Sequence, residues 1–216
     1  MQLFYTPDHA RVGDVIPYYE DGEFKLFYLK NWNPYFGSDK TLGWHLLTTK
    51  DLIHYESETA IGILGGTGCV IKVDGLYHLY YCVFEDQPQR QYVCHATSTD
   101  LTNWTKYPEE TFGPDESIYL LTDWRDPHVI WNEEEKCWWM ILCAQSQGNT
   151  KRRGCVGLCK SADLHHWTCC EPLYAPQSSM SAYECPDLFY MNGWWYLVFS
   201  QFTDRFQTIY RMSRSC

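Results

Sequence analysis

Hydrophobic and polar residues alternate with a period of two along most of the chain, a pattern typical of β-strands with one buried face. The alternation is most regular in four segments rich in aromatic and aliphatic residues: 20–29, 73–82, 132–142 and 191–200. Three of these segments carry an Asp-Gly or Asn-Gly pair near their start. Because such pairs favour tight turns between antiparallel strands, each segment is predicted to be the second strand of a hairpin.

A second repeated phrase, an aspartate and a leucine followed by an aromatic residue, comes after three of these four segments. Its aspartates recur at intervals of roughly 50 to 60 residues, a length suited to one four-stranded propeller blade. They are Asp51, Asp100 and Asp163. The chain is therefore predicted to be all-β, a repeat array of four-stranded antiparallel blades forming a single domain over residues 1–216.

The repeat is incomplete at its end. The fourth unit stops at Cys216, in or just after its third strand, so that roughly three and three-quarter blades are visible. An arc of this kind would leave an unpaired strand edge, which complete propellers avoid by closing the ring. We therefore expect either a missing C-terminal segment or a second chain to complete the propeller.

The composition argues against some classes of binding partner. Of the 216 residues, 45% are hydrophobic and 20% are charged, with a net charge of −10. This charge would repel nucleic acid and anionic membranes, and no apolar run reaches the roughly 18 residues of a membrane span. The N-terminus lacks the apolar core of a signal peptide, so a cytoplasmic location is expected.

Eleven cysteines are present, an odd number in a chain too long to need disulfide staples. Several lie inside apolar runs and are interpreted as reduced core residues. Neither the cysteines nor the His165-His166 pair has the spacing of a zinc finger, and no metal or cofactor is predicted. The cysteines that lie in apolar runs include Cys82, Cys94, Cys143 and Cys155.

Candidate chemistry lies at the predicted start of each blade's first strand. In a propeller these innermost strands line a central channel and begin at the same face, so their first residues converge. The repeat alignment places Asp14, Thr67, Asp126 and Glu184 at equivalent positions. Each acid alone could be an ordinary turn or strand-end residue, but three carboxylates in one repeat position favour a functional site. Arg125 is expected to compensate part of their charge.

Three acids at one rim would raise the pKa of at least one of them, as a general acid working near neutrality requires. Two carboxylates about 5–5.5 Å apart suit a retaining glycosidase, in which one attacks the sugar and the other protonates the leaving group. Trp32, Trp44 and Trp124 lie near strand ends on the predicted mouth and are candidates for stacking on a sugar ring. The other tryptophans and tyrosines are interpreted as packing between blades.

Several stretches together resemble glycoside hydrolase family 32, the invertase, levanase and inulinase group. "WRDP" at 124–127 is similar to the family's Arg-Asp-Pro motif, and "YECPDLF" at 183–189 to its Glu-Cys motif. The stretch 26–56 follows the family's order of a strand, Asn-Pro, a Trp-Gly-His-like run and Asp-Leu-x-His-aromatic. "GGTGCV" at 65–70 stands where the family usually has Phe-Ser-Gly-Ser. The resemblance covers essentially the whole chain.

The resemblance implies a five-bladed β-propeller and a retaining hydrolase of β-fructofuranosidic bonds in fructans, fructooligosaccharides or sucrose-like substrates. It implies Asp14 as nucleophile, Glu184 as acid and then base, and Asp126 as the group that grips two fructose hydroxyls, oriented by Arg125. Thr67 replaces the usual serine of a substrate-binding position. The segment around Asp14, "RVGDVIPYYEDG", keeps the aspartate but lacks the family's two asparagines and adjacent proline, and the family's C-terminal β-sandwich is absent.

Two alternatives remain open at this point. A related propeller glycosidase acting on arabinofuranosides would place its acids similarly, although the Arg-Asp-Pro and Glu-Cys motifs favour the fructosidase. A non-catalytic carbohydrate-binding propeller is the other alternative, supported by the altered segment around Asp14 and the incomplete ring.

Overall fold

A computed structural model of the chain describes residues 5–7, 10–31, 43–56, 58–86, 89–148, 152–177, 180–202 and 206–215. These residues are built almost entirely from antiparallel β-strands, and the part described contains no α-helix, only a 3₁₀ turn at Pro108–Glu110. Within these residues no helix is long and apolar enough to cross a membrane.

Within the described residues, fifteen strands form four sheets, each built from strands consecutive in the chain. Blade 1 contains β1 (Val12–Glu20), β2 (Glu23–Lys30), β3 (Gly43–Thr49) and β4 (Thr59–Ala60). Blade 2 contains β5 (Gly68–Val73), β6 (Leu76–Asp86), β7 (Gln89–Ser98) and β8 (Thr105–Lys106). Blade 3 contains β9 (Tyr119–Asn132), β10 (Cys137–Ser146), β11 (Gly154–Ser161) and β12 (Thr168–Tyr174). Blade 4 has three described strands, β13 (Glu184–Met191), β14 (Trp194–Phe202) and β15 (Phe206–Ser213). The predicted all-β architecture of propeller blades is confirmed.

The first hairpin of three blades turns at the predicted dipeptides. In blade 1, Glu20 pairs with Glu23 across Asp21 and Gly22, which have φ angles of 52° and 80°. Two successive residues with positive φ give a turn whose twist matches that of the flanking strands, and aspartate, asparagine and glycine tolerate it best. The same pair of positive φ angles occurs at Asp74-Gly75 and Asn192-Gly193.

The second repeated phrase forms a side-chain-capped turn after the third strand of a blade. In blade 2, Ser98 Oγ accepts the N–H of Leu101 at 2.9 Å, and Asp100 Oδ1 accepts those of Thr102 and Asn103 at 2.9 and 2.7 Å. These bonds hold Leu101 at a φ of 67°, a conformation that a β-carbon disfavours. The same arrangement occurs at Thr49 with Asp51 in blade 1 and at Ser161 with Asp163 in blade 3.

Hydrophobic residues fill the spaces between neighbouring blades. Successive side chains of β6 point to opposite faces of blade 2, so that Leu79 packs against blade 1 and Tyr80 against blade 3. Burying one such side chain contributes roughly 2–3 kcal/mol. The three interfaces contain, in chain order, Phe27, Trp44 and Leu79; Tyr80, Trp124 and Met140; and Ile141, Tyr183 and Phe199.

The ten cysteines among the described residues are free thiols. Five of them are buried and belong to the strands of blades 2 and 3. These five act as small core residues, as the sequence indicates for Cys82, Cys143 and Cys155, whereas Cys94 is only partly buried. The five buried thiols are Cys69, Cys82, Cys143, Cys155 and Cys159.

Candidate active site

The innermost strands β1, β5, β9 and β13 lie beside one another in chain order, and three of them, β1, β9 and β13, contain a pairing irregularity. Ladder pairing is interrupted at Asp14, which has a φ of 26°, and at Asp126, which has a φ of 57°. In β13 the interruption lies at Cys185, with a φ of 47°. Thr67 precedes the first pair of β5. Such β-bulges re-aim side chains at the end of a sheet, and here they turn the strand starts toward the channel.

The bulges correct one part of the predicted repeat alignment. Cys185, and not Glu184, occupies the position of Asp14 and Asp126, because Glu184 is the last regularly paired residue before the bulge. Arg125 has that same position in blade 3. An alignment that matches carboxylate with carboxylate misses this offset, whereas one that matches Pro127 with Pro186 agrees with the equal registers of the two bulges. Arg125 and Glu184 are therefore equivalent residues of neighbouring blades.

A cavity of about 480 Å³ opens between the four inner strands. Asp14, Thr67, Asp126 and Cys185 are among its lining residues. The side chain of Asp14 is exposed, and the Thr67 hydroxyl donates a short hydrogen bond to its Oδ2. Asp126 is only 7% exposed, and its Oδ2 accepts the backbone N–H of Cys185 at 2.9 Å. Two of the three predicted acids therefore line one cavity, each held by a hydrogen bond from the neighbouring blade.

Arg125 links the third acid to this pair. Its Nη2 donates to Glu184 Oε1 at 2.6 Å and its Nη1 to Asp123 Oδ1 at 2.5 Å. Its Nε lies 3.9 Å from Asp126 Oδ2. One guanidinium thus faces three carboxylates, in the fork geometry that suits arginine better than lysine. Partial charge compensation by Arg125 follows directly from these contacts.

Among the three acids, Asp126 has the raised pKa that the sequence predicts for at least one of them. Burial is the main cause and raises the pKa of Asp126 from its ordinary value of 3.8 to about 6, although the Cys185 N–H and Arg125 act in the opposite direction. Repulsion from Glu184 and Asp14 adds to the rise. Both acids are thus close enough to act on Asp126. Desolvation, and not repulsion between acids as the sequence suggested, is the larger cause.

Polar residues that the sequence analysis missed support the arginine. Gln91 Oε1 accepts the backbone N–H of Trp124 at 2.8 Å and Arg125 Nη1 at 3.4 Å. Gln145 Nε2 donates to Asp123 Oδ2 at 2.7 Å. Gln91 belongs to β7 of the preceding blade and Gln145 to the second strand of blade 3, so that no local motif connects them with the Arg-Asp pair.

The predicted stacking role of two tryptophans is corrected by the structure. Trp44 is 1% exposed and Trp124 is 0% exposed, so neither presents a ring face to the cavity. The indole N–H of Trp44 donates to the carbonyl of Gly66 at 3.1 Å, which ties blade 1 to the residue just before Thr67. Both side chains point between blades, where a large apolar ring is buried most fully. Trp32 lies outside the described residues.

A cluster of metal-ligand type lies away from this cavity. Ligand atoms of His95, Glu110 and His165 all lie within 4.8 Å of one another. His95 is on β7, Glu110 is in the 3₁₀ turn, and His165 is in the connection between β11 and β12, so the cluster does not belong to the inner strands.

Comparison with known proteins places this site in context. The family model described as "Glycosyl hydrolases family 32 N-terminal domain" matches residues 15–214, a range that begins directly after Asp14. Sucrose-6-phosphate hydrolase of Escherichia coli is 28% identical over 188 residues, which cover 79% of this chain and 36% of that protein. Levanbiose-producing levanase of Bacillus subtilis (strain 168) is 27% identical over 207 residues, covering 88% of this chain and 37% of that protein. The chain spans about a third of the length of these curated relatives.

Solved structures share the fold. A GH32 β-fructofuranosidase of Bombyx mori superposes with a TM-score of 0.73 at 24% identity, over 93% of this chain and 46% of that one. Fructan 1-exohydrolase IIa of Cichorium intybus, in complex with 1-kestose, superposes with a TM-score of 0.73 at 16% identity, over 97% of this chain and 43% of that one. Because the family model covers nearly all of the chain, this protein belongs to the glycosyl hydrolase family 32 N-terminal domain family.

Proposed function

We propose that the protein containing this chain hydrolyses β-fructofuranosidic bonds with retention of configuration. The observation that carries the proposal is that Asp14 and Asp126, from two blades, line one cavity, and that Arg125, beside Asp126, holds Glu184 of the next blade. The names of the relatives support the substrate class, since they include a sucrose-6-phosphate hydrolase, a levanase and a fructan exohydrolase holding 1-kestose.

Asp14 is the proposed nucleophile. Its carboxylate is exposed at the cavity, and the Thr67 hydroxyl fixes its orientation through Oδ2. Attack of the carboxylate on the anomeric carbon would form an ester bond as the bond to the leaving oxygen breaks. A hydrogen-bonded but solvent-accessible carboxylate suits this step, because it is oriented without being shielded from the sugar.

Glu184 is the proposed acid and base. In the first step its carboxyl would give a proton to the leaving oxygen, and in the second it would take a proton from the water that cleaves the ester. The 2.6 Å bond from Arg125 Nη2 to Oε1 fixes the side chain, which is 30% exposed and within reach of solvent. Arg125 thus serves as a positioning residue.

Asp126 is the proposed group that binds fructose hydroxyls. Its carboxyl is buried at the cavity wall, where a hydrogen bond to a hydroxyl faces little competition from water. The bonds it already accepts from Cys185 and its proximity to Arg125 hold it in place. Interactions of this type strengthen as positive charge develops on the sugar ring in the transition state.

The test compares Asp14→Asn and Glu184→Gln in the full-length protein by fructose release from sucrose, levan and 1-kestose. Each substitution should lower kcat by at least about 10³-fold without loss of folding. Asp187→Asn is the matched control, because Asp187 lines the same cavity with a side chain 62% exposed and has no assigned role. NMR of the first-formed fructose should show the retained anomer. Turnover near that of the unmodified protein in either variant would refute the role assigned to that residue.

A further inference from the structure

The cluster of His95, Glu110 and His165 lies at the outer part of the contact between blades 2 and 3. Nδ1 of His95 lies 2.6 Å from Glu110 Oε2, and Nδ1 of His165 lies 2.8 Å from Glu110 Oε1. One carboxylate is therefore shared by imidazoles from two different blades. The side chains become more exposed in the order His95 at 3%, Glu110 at 17% and His165 at 37%, so that one side of the cluster is open to solvent.

The ring of His95 is held in place on three sides. Tyr80 stacks on it with centroids 4.5 Å apart and planes 7° apart, and Tyr107 also stacks on it with centroids 5.3 Å apart. Nε2 of His95 lies 3.0 Å from His78 Nδ1. A hydrogen bond from this Nε2–H to His78 would leave the Nδ1 lone pair directed at the cluster. Metal-binding histidines are commonly oriented by a second hydrogen bond of this kind.

The position of His165 is fixed by its turn. Its backbone N–H donates to Asp163 Oδ1 at 2.9 Å, within the capped turn that the blades repeat. Glu110 is held from the other side, because the N–H of Glu110 donates to the carbonyl of Tyr107 at 3.1 Å. The three side chains thus converge from an anchored strand, an anchored 3₁₀ turn and an anchored loop. A site presented by fixed backbone needs little ordering when an ion binds.

We propose that His95, Glu110 and His165 bind a divalent transition-metal ion of the zinc type, which links blade 2 to blade 3. Two imidazole nitrogens and one carboxylate oxygen form a donor set that zinc accepts and that magnesium and calcium, which prefer oxygen ligands, do not. A fourth position, on the exposed side of His165, is open to water. The site lies apart from the proposed catalytic cavity and does not depend on it.

Binding requires the three ligand atoms, which all lie within 4.8 Å of one another, to adjust to the spacing of ligands around one ion. The present nitrogen to oxygen distances of 2.6 and 2.8 Å are those of hydrogen bonds. Two ligand atoms of one tetrahedral zinc ion lie about 3.3 Å apart, so the carboxylate must withdraw by about 0.5 Å. Metal binding displaces the proton that lies between each Nδ1 and the carboxylate: an imidazole protonated on both nitrogens releases that proton to solvent, and a neutral imidazole takes up its single proton on Nε2 instead. Each bound imidazole is then neutral with its proton on Nε2, that of His95 donated to His78.

The proposal is tested by titrating the chelator-treated, full-length protein with ZnCl₂ in a calorimeter and with Co²⁺ in a visible spectrometer. The variants are His165→Ala and Glu110→Gln. His166→Ala is the matched control, because His166 is the next residue and its side chain is 89% exposed. Within the described residues, this side chain pairs with Asp163 and not with the cluster. Circular dichroism checks that each variant is folded.

The expected result is one equivalent of Zn²⁺ with an affinity at least tenfold weaker in each variant and unchanged in His166→Ala. Co²⁺ should give a tetrahedral spectrum without a thiolate charge-transfer band, and Zn²⁺ should raise the melting temperature of the control but not of His165→Ala. Absence of stoichiometric binding, a thiolate band that places the metal at the cysteines, or a loss smaller than tenfold in both variants overturns the proposal. Glu110→Gln keeps the size of the side chain, so that a folding defect of the alanine variant does not decide the outcome.

Discussion

Replacing Asp126 by asparagine should stabilise the protein at neutral pH while removing the proposed hydroxyl-binding carboxylate. Asp126 is 7% exposed, and burial raises its pKa from 3.8 to about 6. A raised pKa in the folded state means that ionisation of this group opposes folding. Asparagine has nearly the same shape as the protonated acid, can accept the Cys185 N–H through its oxygen, and tolerates the φ of 57° at this position.

The size of the effect follows from the shift. Below pH 3.8 the carboxyl is protonated in both the folded and the unfolded chain, and it contributes no difference. Between 3.8 and about 6 the folded state alone keeps the proton, so stability falls as the pH rises. Above about 6 the penalty is complete, and a shift of this size corresponds to about 3 kcal/mol. At pH 7 the asparagine variant should recover a large part of this lost stability.

The assay is urea unfolding followed by tryptophan fluorescence at pH 7 and at pH 4. The gain in unfolding free energy from Asp126→Asn should be about 1–3 kcal/mol at pH 7 and should approach zero at pH 4. Asp74→Asn is the control, since Asp74 is exposed in a turn with a φ of 49° and the substitution is the same. A gain that is absent at pH 7, or equal at the two pH values, would refute the view that a buried charge at Asp126 costs stability.

Two further predictions concern the core. Trp124→Ala should lower the unfolding free energy by about 3–5 kcal/mol, measured with urea, because this fully buried ring fills the contact between blades 2 and 3. Trp131→Ala, at a position 40% exposed, should lower it much less. Equal losses would contradict the placement of Trp124 in the core. Gly68→Ala should lower the melting temperature severely or prevent folding, because the new β-carbon would lie 1.8 Å from the carbonyl oxygen of Tyr80. Gly113→Ala should be milder, because the nearest atom to its β-carbon is in the ring of Tyr92, at 3.3 Å. Similar melting temperatures for the two variants would contradict the strand spacing.

Local signals in the sequence were sufficient for the blades. The Asp-Gly pairs place a hairpin wherever two adjacent residues take positive φ, as at Asp21 and Gly22. The aspartate of the second phrase, as at Asp100, caps the next turn through bonds to residues two and three positions further on. Both devices act within four residues, so the sequence reveals them directly. The predicted starts of blades 1, 2 and 4 agree with the structure, where β1 begins at Val12, β5 at Gly68 and β13 at Glu184. The predicted start of blade 3 is wrong, because β9 begins at Tyr119, before Arg125 and Asp126.

The parts of the site that could not be predicted depend on residues distant in sequence. The offset of Glu184 relative to Asp126 follows from the pairing of each inner strand with the next strand of its blade, in which Arg125 lies opposite Cys143 and Glu184 opposite Ser200. The burial of Trp124 depends on residues of the preceding blade, such as Tyr80, and the alternating pattern of β9 does not show which face that blade covers. The histidine cluster joins His95 to His165 across two blades, at a separation that no metal-binding spacing motif uses.

The most direct test of the account is a crystal structure of the full-length Asp14→Asn variant with 1-kestose bound. Loss of the nucleophile should leave an uncleaved substrate, with its terminal fructose in the cavity between β1, β5, β9 and β13, its ring hydroxyls on Asp126, and its glycosidic oxygen next to Glu184. A sugar bound elsewhere on the propeller, or a terminal fructose in the cavity that touches neither Asp126 nor Glu184, would contradict the claim that these carboxylates form one catalytic site.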